Sequence, residues 1–176
     1  PDSGGTGIAL YGGSLYFATD QAVLRWVWGA GQLEPVGPPD TVVKDLVSRR
    51  QHAAKSIAIR EQDGALFVNI GAPSNACQEQ DRTAGSKGMD PCPLLAEAGG
   101  VWRFDAARRG QTQADGERFV TGLRNTLALA IDPATGVLFG AQHGRDGLNA
   151  FWPQLYTPEQ SAEKPAEELF LLVRGG

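Results

Sequence analysis

"IAIREQDGALFVNIG", residues 57–71, holds two apolar runs around a turn at Asp63-Gly64. The second run is apolar on both faces: Leu66, Val68 and Ile70 alternate to one side, and Phe67 stands on the other. A strand with one wet face alternates apolar and polar residues, whereas a strand apolar on both faces belongs to a sheet covered on both sides. The stretch therefore predicts a β-hairpin in a sheet packed between two others.

Two further stretches repeat the design. "IALYGGSLYFATD" begins at Ile8 and "LAIDPATGVLFGAQHG" at Leu129, so the three starts lie 49 and 72 residues apart. The second interval is longer because a polar, cysteine-bounded loop lies inside it. A repeat of roughly 40–50 residues with several strands marks a propeller blade. A β-sandwich is the alternative, but it does not predict the self-similarity. Runs such as "AVLRWVW", "TVVKDLV", "GVWRFD", "RFVTGL" and "ELFLLV" supply the remaining strands. The expected fold is all-β, a single partial propeller domain over residues 1–176 with about three blades. Closed propellers typically hold 4–8 blades. The chain opens on Pro1 and ends in "LFLLVRGG", so it reads as a fragment of a larger propeller. "TPEQSAEKPAEEL", interrupted by Pro165, reads as an acidic connecting loop.

A net charge of −4 argues against a nucleic-acid partner, which needs a positive surface. No apolar run approaches the ~20 residues of a membrane helix, and no stretch reads as a signal peptide with a basic start and an apolar centre. Cys77 and Cys92 flank "QEQDRTAGSKGMDP", a polar loop with little reason to fold alone. Paired, they place the protein in an oxidising compartment, periplasmic or secreted; the competing reading is two free thiols.

The ends of the third hairpin are polar. Arg124-Asn125 precedes one strand and His143-Gly144-Arg145-Asp146 follows the next. In an antiparallel pair the start of one strand lies beside the end of its neighbour. His52 precedes the equivalent strand of the previous repeat, and "GAPSN" follows its partner. All four segments should project to one rim.

"QHAAKSIAI", "GLRNTLALAIDPATG" and "QHGRDGLNAFWPQLYTPEQ" resemble the soluble quinoprotein sugar dehydrogenases, in particular the sorbosone dehydrogenase branch related to soluble glucose dehydrogenase. The resemblance runs from about Gly7 to Glu168. It implies a six-bladed β-propeller that binds pyrroloquinoline quinone (PQQ) and calcium and oxidises an aldose or a sorbosone-like sugar aldehyde. It implies an electron acceptor such as a cytochrome. By this resemblance His52 is the catalytic base, Arg124 and Asn125 contact the quinone, and the carbonyls of Gly144 and Arg145 ligate Ca²⁺, with Arg145 also at the cofactor. Soluble glucose dehydrogenases support the histidine with an aspartate where this chain has Ala72, a support that the sorbosone-like branch also lacks.

The residue types suit these roles. Histidine titrates near pH ~6.5 and can take a hydroxyl proton at neutral pH. An Arg with an amide beside it stabilises charge developing on a quinone, and backbone oxygens of a Gly-rich turn suit a hard cation. The bland readings are specific too. Arg124 can pair with Asp146 as a brace, His143 can tie a loop, and Asn75 can simply form a turn. Two rival functions follow: a non-catalytic propeller module of the same family, and a calcium-dependent lactonase, which would require carboxylate-rich metal ligands.

Overall fold

The computed structural model describes residues 5–49 and 51–176. These residues form three sheets, none closed on itself. The first is an antiparallel meander of β1 (Gly7–Tyr11), β2 (Ser14–Ala18), β3 (Val23–Val27) and β4 (Asp40–Lys44). The second contains β5 (Ile57–Arg60), β6 (Ala65–Ile70), β7 (Gly100–Asp105) and, after the two-residue β8 (Gln111–Thr112), β9 (Glu117–Thr121). The strand β8 leaves its neighbours and pairs in parallel with β4, joining the first sheet to the second. The third sheet is β10 (Thr126–Ile131), β11 (Leu138–Gln142) and β12 (Glu168–Leu172). The leading strand β5 lies against both β1 and β10.

The central sheet is covered on both faces, as the pattern of residues 57–71 demands. Every residue of β6 is buried. Leu66, Val68 and Ile70 join Tyr16, Val23 and Val43 of the first sheet. Phe67 points the other way, into a cluster with Leu138 and Leu172 of the third sheet, and packs edge-on against Phe119 at 5.0 Å between ring centres. Trp102 also belongs to the core, its ring under the Arg118 guanidinium. The outer faces of the flanking sheets leave Ile8, Leu10, Leu169 and Leu171 exposed.

The three hairpins share a register. Phe17, Phe67 and Phe139 pair across their hairpins with Ile8, Ala58 and Ala130. Ile8 therefore corresponds to Ala58, one residue on from the match of starting residues in the sequence. The first hairpin turns on Gly12-Gly13 alone, both at positive φ, the geometry a two-residue turn between twisted strands needs.

Two expectations need correction. Inside "TPEQSAEKPAEEL" lies a helix, not a loop throughout: α2 (Pro158–Glu163) follows a shorter α1 (Leu148–Phe151). Thr157 caps α2 by accepting from Gln160 N, and Gln160 returns the bond; Pro165 ends the helix without preventing it. The run "TVVKDLV" is a strand only to Lys44, because Asp45 adopts φ 55° and turns the chain so that Leu46 enters the core.

Cys77 and Cys92 form a disulfide across 15 residues. Closing a loop of this length removes denatured-state freedom worth ~3 kcal/mol. Cys77→Ser with Cys92→Ser should lower unfolding stability by about that amount, read by urea titration, with m rising as the denatured ensemble expands. No loss of stability would mean that the loop is already ordered in the denatured ensemble.

Candidate active site

The rim predicted for the site exists. Ala72, just beyond β6, ties its two halves together: its N–H donates to Arg124 O at 2.7 Å, and its carbonyl is 2.5 Å from His52 Nδ1. The chain before β5 and the chain before β10 thus meet on the segment that follows β6. His143 N donates to Asn125 O, which brings in the segment after β11. Gly71 permits this closeness. A Cβ there would stand 2.5 Å from His52 Cβ and 2.9 Å from Asn125 Oδ1.

The histidine's tautomer follows from its partner. A carbonyl oxygen only accepts, so Nδ1 carries the proton and Nε2 keeps its lone pair. The support of the imidazole comes from the main chain of Ala72 and not from a side chain. Burial pushes the His52 pKa down; the Ala72 carbonyl opposes this, while the charges of Arg124 and Arg82 add to it and Asp146 opposes. His52 is therefore neutral and basic at pH 7. Its backbone is left-handed, at φ 53°, as are Cys77 and Arg82 in the facing disulfide loop. Such conformations cost ~1–3 kcal/mol each and cluster at functional sites.

Arg124 is held on several sides. Its Nε donates to Asn75 O at 3.1 Å and Nη2 to Asn75 Oδ1 at 2.9 Å and Asp146 Oδ2 at 3.3 Å. Nη1 reaches His143 O at 3.5 Å, leaving it one N–H without a partner among the described residues. Asn75, a turn former in sequence, is the hub. Buried, it also donates Nδ2 to Asp146 O, accepts from Asp146 N on Oδ1, and donates its own N–H to Asp81. Asp146 braces its loop, as expected, and pairs with Arg82 through both oxygens, at 2.5 and 3.1 Å. His143 ties its loop by donating from Nδ1 to the Glu167 carboxylate, 2.8 Å away. Gln51, Asp81 and Arg82 were not singled out from sequence. They lie in stretches without periodicity and meet their partners only in the fold.

A cleft of about 380 Å³ opens beside this network. Arg124, His143, Gly144 and Arg145 line it together with Asn75 and the Cys77–Cys92 bridge. Arg145 is exposed, with no partner among the described residues. Asn125 is buried and does not line the cleft; its Oδ1 accepts from Asn69 at 3.3 Å. His52 reaches the wall only through Ala72.

The donors suit a polyanionic cofactor with a hard cation. Arg145 and the remaining Nη1 proton of Arg124 can meet carboxylates. In the loop after β11, His143 O and Asp146 O are occupied, whereas Gly144 O and Arg145 O accept no hydrogen bond among the described residues. No cluster of three or more His, Cys, Asp or Glu able to hold a metal occurs among the described residues, so a cation here depends on such main-chain oxygens.

The family model TrAA12-like matches residues 4–174. The chain belongs to the TrAA12-like family. A search of curated proteins finds no match. Among solved structures, the chain is similar to a Trichoderma reesei protein of carbohydrate-active enzyme family AA12, at TM-score 0.70 and 17% identity over 97% of this chain and 40% of that one. It is also similar to the PQQ domain of a pyranose dehydrogenase from Coprinopsis cinerea, at TM-score 0.70 and 17% identity over 96% and 39%. An oxidoreductase from Thermus thermophilus with the name glucose dehydrogenase follows at TM-score 0.56 and 23% identity over 99% and 50%. At these identities the structures share the fold. This TrAA12-like chain spans about two fifths of the length of the first two. The family agrees with the quinoprotein resemblance read from the sequence.

Proposed function

We propose that this TrAA12-like chain supplies three blades of a six-bladed propeller and part of the site of a PQQ- and calcium-dependent sugar dehydrogenase acting on an aldose or a sorbosone-like aldehyde. The observation that carries the reading is the Ala72 link, which joins a neutral histidine, whose Nε2 has no partner among the described residues, to the loop of a part-buried arginine. His52 Nε2 accepts the proton of the substrate hydroxyl, or of the hydrated aldehyde, while the carbon on that oxygen gives up a hydride. The Ala72 carbonyl fixes the imidazole plane, and Asp146 steadies the positive charge that His52 acquires. Bound in the cleft, PQQ supplies the two-electron acceptor. Arg145 and Arg124 Nη1 would hold its carboxylates, Asn125 backs the Arg124 loop, and the carbonyls of Gly144 and Arg145 would hold Ca²⁺. An electron carrier such as a cytochrome would be the acceptor partner, and the disulfide suits a periplasmic or secreted protein.

The rival reading, a non-catalytic propeller module, is favoured by how fully Arg124 is already committed to Asn75, His143 and Asp146. Titration of the full-length protein with PQQ and Ca²⁺ separates the two. The dehydrogenase should perturb the quinone absorbance at micromolar PQQ, lose it with a calcium chelator, and reduce a redox dye when an aldose is added. Absence of PQQ binding selects the scaffold.

A further inference from the structure

The disulfide loop has no part in the chemistry above, yet it carries the cation that joins both halves of the rim. Arg82 sits at φ 53°, between the two cysteines. Its Nε donates to Gln51 Oε1 at 3.2 Å, one residue before His52, and its other two nitrogens grip Asp146. The neighbouring Asp81 accepts from Gln51 Nε2 at 2.5 Å and from Asn75 N at 2.8 Å. One short stretch of the loop thus fastens the residue before the base and the residue that pairs with Arg124. A bidentate fork with a third donor is a geometry that lysine cannot copy. We infer that Arg82 is a positioning residue, which clamps the disulfide loop across the rim and fixes His52 through Gln51 and Arg124 through Asp146.

This inference rests on the proposed role of His52, but its test does not need turnover. The charged groups that face His52 are Arg82 from the disulfide loop, Arg124 from the segment before β10 and Asp146 from the loop after β11. Arg82 holds the His52 pKa down and Asp146 pulls it up. Removing Arg82 deletes a like charge and frees the Asp146 carboxylate, so both changes raise the pKa. The experiment is an NMR titration of ¹⁵N-histidine-labelled full-length protein, with the His52 resonance assigned by its loss in His52→Asn. Arg82→Met should shift the His52 titration upward, and Arg82→Lys should return it toward wild type. Arg82→Lys should still exchange amides faster over residues 77–92, because the fork is gone; this readout stands even where Arg82→Met does not fold. With PQQ and Ca²⁺ bound, both variants should lose roughly tenfold in kcat/KM, as expected for a partner that orients an active group. Identical His52 titrations in the three proteins, or unchanged exchange in Arg82→Lys, would overturn the inference. A wild type that reduces no dye would overturn the dehydrogenase reading alone and leave the titration result standing.

Discussion

His52→Asn should lower kcat by a factor of ~10²–10⁴ with little change in KM, the usual worth of a positioned general base. Asparagine is the informative replacement. It tolerates the left-handed backbone at φ 53° better than most residues, and its amide can still donate to the Ala72 carbonyl, so the loop is kept and only the basic nitrogen is lost. The pH profile of the wild type provides a second check. With its pKa held below the ordinary ~6.5, His52 is already deprotonated at neutral pH. Turnover should rise with pH along a limb lying below ~6.5 and be flat by about pH 7, and His52→Asn should abolish that limb. Stability follows the same sign. Between the folded pKa and ~6.5 the unfolded chain binds more protons than the folded one, so the His52 contribution grows as pH rises through that window and is lost as pH falls. Steady-state kinetics on PQQ- and Ca²⁺-loaded protein decide the matter: a variant that keeps most of its kcat removes His52 from the role of base.

The two-faced apolar pattern of β6 was enough to place it between two sheets, because burial on both sides leaves no other use for Phe67 beside Leu66 and Val68. The position of the rim was equally legible, since antiparallel neighbours must bring the start of β10 beside the end of β11. The partner of the imidazole was not. The acceptor on Ala72 is a main-chain oxygen, which every residue carries, so no side chain advertises it. Asn75 and Asp146 stand 71 residues apart, and their reciprocal bonds exist only once two loops without periodicity are laid together. The signal for α2 was present in Thr157-Pro158-Glu159-Gln160, a cap, a first-turn proline and a returning amide. Pro165 masked it, although a proline ends a helix before itself and does not forbid the turns that precede it.

Asn75→Leu should cost about 3–5 kcal/mol, the most disruptive single change expected at this rim. The two side chains have similar size, so little of the loss comes from a cavity. Three side-chain bonds vanish at once: the one accepted from Arg124 Nη2, the one accepted from Asp146 N, and the one donated to Asp146 O. Arg124 is mostly buried, its side chain 12% exposed, so a guanidinium that loses a partner there gains little water in exchange. The backbone N–H and C=O of Asp146 are stranded by the same substitution. Thermal unfolding should fall by roughly 10 °C, taking ~2–4 °C per kcal/mol for a domain of this size. Asn75→Asp discriminates between the charge and the hydrogen bonds. It can still accept from Arg124 and from Asp146 N, but it sets a carboxylate against the Asp146 carbonyl that the amide had served, and so should fall between wild type and leucine. If leucine and aspartate destabilise equally, the donated bond to Asp146 O carries the hub; if leucine costs under ~1 kcal/mol, Arg124 is secured by the main-chain carbonyl of residue 75 with Asp146 and His143, and the rim does not depend on the Asn75 side chain.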